Sequence, residues 1–125
     1  MENSMRDKSF SFAINVVLLG QQMAKSKEFI LSKQLVRSGT GIGALIREAQ
    51  YAESLLDYKH KFALALKEAN ETKYWLDIIN ETYPLYNEKS TNLKQLCGEL
   101  VAMLIATINT LKEKLSKIQT SKPKS

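Results

Sequence analysis

The sequence predicts an all-α protein, an antiparallel up-down four-helix bundle. Apolar residues recur at steps of three and four along most of the chain. Its 125 residues contain only two prolines and five glycines, too little turn chemistry for a β-sandwich or barrel. That length suits one domain with a real core, and amphipathic helices on short connections pack side by side at small crossing angles. The bundle is expected to occupy residues 1–119, leaving 120–125 as a basic flexible tail.

The first helix is expected from about Asp7 to Lys25. Phe10, Ala13 or Ile14, Val17, Leu18 and Met23 form its seam, and Phe12, Val16 and Leu19 widen the apolar face. Ser26 is placed to cap the second helix, whose pattern runs through Phe29, Ile30, Leu35, Ile42, Leu45, Ile46 and Ala49 to about Ser54. The third is the clearest, with Phe62, Ala65, Ala69, Thr72, Leu76, Ile79 and Tyr83 on one face and charged residues between them. Pro84 then breaks the pattern, since it disfavours helix at Tyr83 and lacks an amide hydrogen. Ser90, Thr91 or Asn92 can cap the fourth helix. Its seam is Leu93, Leu96 or Cys97, Leu100, Met103 or Leu104, Thr107, Leu111, Leu115 and Ile118.

Residues 37–49, "RSGTGIGALIREA", raise the sharpest functional question. A phosphate-binding loop needs a strand before the glycines and a helix after them. Here "EFILSKQLVRS" precedes them and continues a helical pattern, the spacing is G-x-G-x-G, and the Walker Lys-Ser/Thr pair is missing. Packing is the better reading. Ser38, Gly39, Gly43 and Ala44 leave the helix almost bare, so a neighbouring helix or subunit can approach closely.

The same stretch carries a resemblance. "LSKQLVRSGTGIGALIREA" followed by "HKFALALKEANETKYWLDII" resembles the small bacterial four-helix bundle proteins encoded in intervening sequences of 23S rRNA genes, some of them labelled as ribosomal proteins. Where members commonly read Ser-Ile-Gly-Ala-Asn, this chain has Gly41, Ile42, Gly43, Ala44 and Leu45. The resemblance implies a homo-oligomer such as a pentameric ring and no established enzymatic activity. It also points to the accessory proteins of diversity-generating retroelements, pentameric bundles that associate with nucleic acid and a reverse transcriptase.

The net charge of +5 is mostly a tail effect. Residues 112–125 hold five lysines and one glutamate, so the preceding 111 residues carry only +1. Lys25, Lys27, Lys33 and Arg37 are the best candidates for contact with RNA or DNA backbone, opposed locally only by Glu28, and Lys59 and Lys61 are candidates for the other end of the bundle. A protein partner is the alternative.

Catalysis finds no support. His60, the single histidine, lies one turn from Asp57, but catalytic zinc needs three protein ligands. Glu68, Glu71 and Lys67 read as ion-pairing surface residues. Tyr74 and Trp75 flank the third seam, which favours packing at a helix or subunit contact. No catalytic, cofactor-binding or metal-binding residue is expected, and no cofactor. The lone Cys97 excludes an intrachain disulfide. The apolar run Phe10 to Leu19 is interrupted by Ser11 and Asn15 and is too short to span a bilayer, so a cytoplasmic protein without a membrane role is expected.

Overall fold

The computed structural model describes residues 2–121. Four helices follow in order: α1 (Glu2–Lys25), α2 (Ile30–Ala49), α3 (Leu55–Thr82) and α4 (Asn87–Ser121), with a 3-10 turn at Pro84–Tyr86 before the last. Connections of a few residues force each helix back along its predecessor, giving the up-down antiparallel bundle. α2 packs closely on α1 and α3, and α3 on α4, whereas α1 closes against α4 much more sparsely.

The core runs the length of the bundle. Phe12, Val16, Leu19 and Met23 of α1 meet Leu35, Ile42 and Ile46 of α2, Phe62, Leu76 and Ile79 of α3, and Leu93, Leu100 and Leu104 of α4. Burying each such side chain contributes about 1.5–3 kcal/mol. On α3 the expected seam from Phe62 to Ile79 is the buried face, residue for residue. On α4 Cys97 and Leu104 take the alternative positions, and Ile108 goes inward where Thr107 was expected.

α1 corrects the sequence reading. Phe10, Ile14 and Leu18 point outward, 56%, 46% and 54% exposed, and the second stripe of Met5, Phe12, Val16, Leu19 and Met23 is buried. Both stripes are apolar at helical spacing, so steric fit decides between them. The buried stripe is flanked by Ser9 and Gly20, small enough to let α2 approach.

Three helix boundaries also move. α1 begins at Glu2 rather than near Asp7. α2 stops at Ala49, and Ser54 belongs to α3 as its N-cap: the Ser54 hydroxyl accepts from the Asp57 amide at 3.0 Å. α4 starts at Asn87, ahead of the expected caps, and Ser90 and Thr91 instead donate to Asn80 Oδ1 of α3 at 2.9 and 3.2 Å. Ser26 does not cap α2. The Glu28 carboxylate does so, accepting from the Leu31 amide at 2.9 Å, after the chain turns through Lys27 at φ 64°. At the other end α4 continues through Ser121, and residues 122–125 of the expected basic tail lie outside the described residues.

Candidate nucleic-acid interface

The bundle separates the six candidate cations into three environments. Lys25, Lys27 and Lys33 gather at the α1–α2 turn, all exposed, and none has a carboxylate within ion-pair distance among the described residues. The turn itself is pinned. Tyr83, at the α3–α4 connection, donates its hydroxyl to the second Glu28 oxygen, and this bond holds the Glu28 carboxyl below its ordinary range. Glu28 is thus held by the fold as a carboxylate, and its charge still offsets one lysine at this turn.

Arg37, one turn beyond Lys33, is already neutralised. Its guanidinium bonds Glu71, lies 3.5 Å from Glu68 Oε2 and reaches Gln34 Oε1 at 3.3 Å. Glu71 also accepts from the Trp75 indole at 3.4 Å. Glu71 therefore pairs across to α2 rather than with Lys67 on its own helix. The Glu68 Oε2 atom is buried without a hydrogen bond, in the space that Gly41 leaves on α2, so Arg37 is its main compensation.

Lys59 and Lys61 sit near the start of α3, about 30 Å from the α1–α2 turn by the length of the twenty-residue α2. Lys61 lies 3.8 Å from Glu48. The six candidates do not form one surface.

The small-residue stretch lies inside the bundle. A Cβ at Gly39 would stand 2.7 Å from Val16 Cγ1, and one at Gly43 would stand 3.3 Å from Ser9 Oγ. Ser38 is buried on the other flank, accepting from the Thr72 hydroxyl of α3 at 2.9 Å. Ala44 is exposed. Trp75 is half-buried at the edge of the core, with Tyr74 edge-on at 5.3 Å.

Sequence reasoning passed over a second pair of cations. Arg6 on α1 and Arg47 on α2 line a groove of about 410 Å³ together with Phe10, Ala13, Gly43, Ala44 and Tyr51. They are 41 residues apart in the chain, and only the antiparallel register of α1 and α2 unites them. No local motif signals that meeting.

The remaining reactive groups have structural roles or open positions. Cys97 is buried and points its thiol at the Ala69 carbonyl, 3.3 Å away, and burial pushes its pKa up to about 11. That thiol is a poor nucleophile at neutral pH. His60 is exposed. Among the described residues no group of three or more His, Cys, Asp or Glu could hold a metal ion. No described helix is long and apolar enough to cross a membrane.

Fold and surface define a small all-α module whose first two helices are locked by glycine-mediated contact and whose candidate lysines lie toward the two ends of the bundle. The chain belongs to the family described as 23S rRNA-intervening sequence protein, whose sequence model matches residues 1–106. It is similar to a crystal structure from Bacteroides thetaiotaomicron of a protein with unknown function from the S23 ribosomal protein family. The two share 42% identity with a TM-score of 0.83, over 86% of this chain and 97% of that one. A comparison with curated proteins found no match.

Proposed function

We propose that the chain is a non-enzymatic helical module that self-associates through the outward face of α1 and holds nucleic-acid backbone at the α1–α2 turn. The observation that carries this reading is the ridge of Ile14 and Leu18, which continues from Phe10 at the rim of the α1–α2 groove. It lies on the side of α1 away from the core, and each of its side chains is about half exposed. An i, i+4, i+8 ridge of large apolar residues is the shape that inserts into the groove of another helix, and contiguous exposed apolar surface marks interaction sites. Self-association would repeat Lys25, Lys27 and Lys33 around the assembly, raising a modest local charge into a field that attracts phosphate. The family is named for intervening sequences of 23S rRNA, which makes structured RNA the first polynucleotide to test.

The test pairs mass with salt dependence. Sedimentation should give an oligomer, with a pentamer as the leading stoichiometry, and Ile14→Glu with Leu18→Glu should yield folded monomer. Binding to structured RNA or duplex DNA should fall with salt at a log–log slope of several units. A monomeric parent chain removes the self-association reading, and no binding at low salt removes the nucleic-acid one.

A second reading, a protein-interaction scaffold, draws on the sparse α1–α4 seam. There Asn15, Leu18, Leu19, Leu93 and Leu96 line a groove of about 360 Å³. Association that ignores polynucleotides at physiological salt, with a protein seated on this seam, would favour it.

A further inference from the structure

We propose that the groove between the start of α1 and the end of α2 binds a nucleoside phosphate, either as a free nucleotide or within a single strand. The groove is built by register. Val16 lies against Gly39 and Ser9 against Gly43, so one step further along the antiparallel pair Arg6 comes level with Arg47. Neither arginine has a carboxylate within ion-pair distance among the described residues. Glu48, the one acid lining the groove among the described residues, lies 3.8 Å from Lys61 of α3 and is engaged there.

The serine and threonine hydroxyls of the groove are also occupied. Ser9 donates its hydroxyl to the Arg6 carbonyl at 3.0 Å, and Thr40 to the Val36 carbonyl at 2.6 Å. The two guanidinium groups and the exposed Tyr51 hydroxyl are therefore the outstanding hydrogen-bond donors, and the planar guanidinium forks match phosphate oxygens.

The walls ask for a flat ring. Ala13, Gly43 and Ala44 make a shallow apolar floor, Phe10 stands on one side with Arg47 5.8 Å from its ring centre, and Tyr51 projects from the α2–α3 turn, 82% exposed. A volume of about 410 Å³ accommodates a base with its sugar and phosphate. Aromatic rings beside cations are the arrangement that stacks bases while neutralising backbone. This inference deepens the nucleic-acid reading above and rests on it only where the ligand is a strand.

The test is an NMR titration of the ¹⁵N-labelled full chain with AMP, inorganic phosphate, octauridylate and an abasic strand of equal charge. AMP is expected to move the amides of Gly43, Ala44 and Tyr51. Octauridylate should bind about tenfold tighter than the abasic strand, and Tyr51→Ala should remove most of that difference. Arg6→Glu with Arg47→Glu should abolish the AMP shifts in a chain that circular dichroism shows to be folded. Equal binding of octauridylate and abasic strand, with the three amides unmoved by AMP, overturns the inference. If the groove double variant binds octauridylate normally while charge reversal of Lys25, Lys27 and Lys33 abolishes binding, the groove is overturned and the backbone reading survives. If AMP moves the amides and no strand binds, the groove stands as a nucleotide site and the backbone reading falls.

Discussion

Gly39 of α2 lies directly on Val16 of α1: a methyl group built on the glycine would stand 2.7 Å from Val16 Cγ1 and 3.2 Å from its Cβ. Both residues are fully buried, and the next contact along the seam, Gly20 on Val36, is equally tight at 2.5 Å. The helices meet here with no side chain on one partner at each point, which draws their axes together.

Gly39→Ala should therefore destabilise the bundle, although alanine is the better helix former by about 1 kcal/mol. Overpacking a rigid β-branched neighbour costs about 1–3 kcal/mol, and the two effects leave a net loss. Combining it with Val16→Ala should recover part of that loss. Thermal denaturation of the two single variants and the double variant measures the coupling. Gly39→Leu should prevent folding, while Gly43→Ala, which meets Ser9 Oγ at 3.3 Å, should be nearly neutral.

Ser38 and Thr72 test the α2–α3 seam. Thr72 bonds both Ser38 Oγ at 2.9 Å and the Glu68 carbonyl at 2.7 Å, and both side chains are fully buried. Thr72→Val leaves the Ser38 hydroxyl only its long bond to the Leu35 carbonyl, 3.5 Å, and should cost about 1–3 kcal/mol. Adding Ser38→Ala should restore much of it, because an apolar pair leaves no unsatisfied group. Urea unfolding reads both values, and a double variant weaker than Thr72→Val alone would contradict the argument.

How far the sequence reveals these relationships varies by helix. α3 is legible because its stripe from Phe62 to Ile79 keeps unbroken three- and four-residue steps with charged residues between them, although Leu56 and Tyr74 also stand exposed on the helix. α1 is not, because Phe10–Ile14–Leu18 and Phe12–Val16–Leu19–Met23 are equally apolar, and a hydrophobicity pattern cannot choose between them. The choice rests on contact distances at Gly20, which belong to the partner helix as much as to α1. The start of α3 was readable: Ser54 followed three residues later by Asp57 is a cap signature, and Asp57 Oδ2 accepts from the Glu53 amide at 3.3 Å to complete it. Arg6 with Arg47, and Arg37 with Glu68 and Glu71, are tertiary pairs whose local sequence is ordinary helix surface.

Arg37 separates fold from function. If its guanidinium chiefly compensates Glu68 and Glu71, Arg37→Ala should destabilise the chain by about 1 kcal/mol, a modest figure because the side chain is half exposed and screened by solvent. It should leave the polynucleotide affinity nearly unchanged. Lys33→Ala should do the reverse. A binding assay beside a melting curve for each variant checks both halves, and a large affinity loss in the Arg37 variant would place that residue in the interface.

Cys97 sets a pH limit on stability. Its thiol is held by desolvation at about 11 in the fold against an ordinary 9.0, and the nearby Lys73 charge pulls the other way without prevailing. The unfolded chain thus releases this proton before the folded chain does. The stabilisation is complete below pH 9 and shrinks as pH rises from 9 toward 11, by about 3 kcal/mol if the full shift is realised. Cys97→Ala should flatten that part of the stability curve while losing some packing at every pH. Lysines and tyrosines titrate in the same range, so the difference between parent and variant, followed by urea unfolding from pH 8 to 11, is the quantity to measure. Parallel curves would mean that water reaches the thiol, and rapid labelling of Cys97 by iodoacetamide in the folded chain should then accompany them.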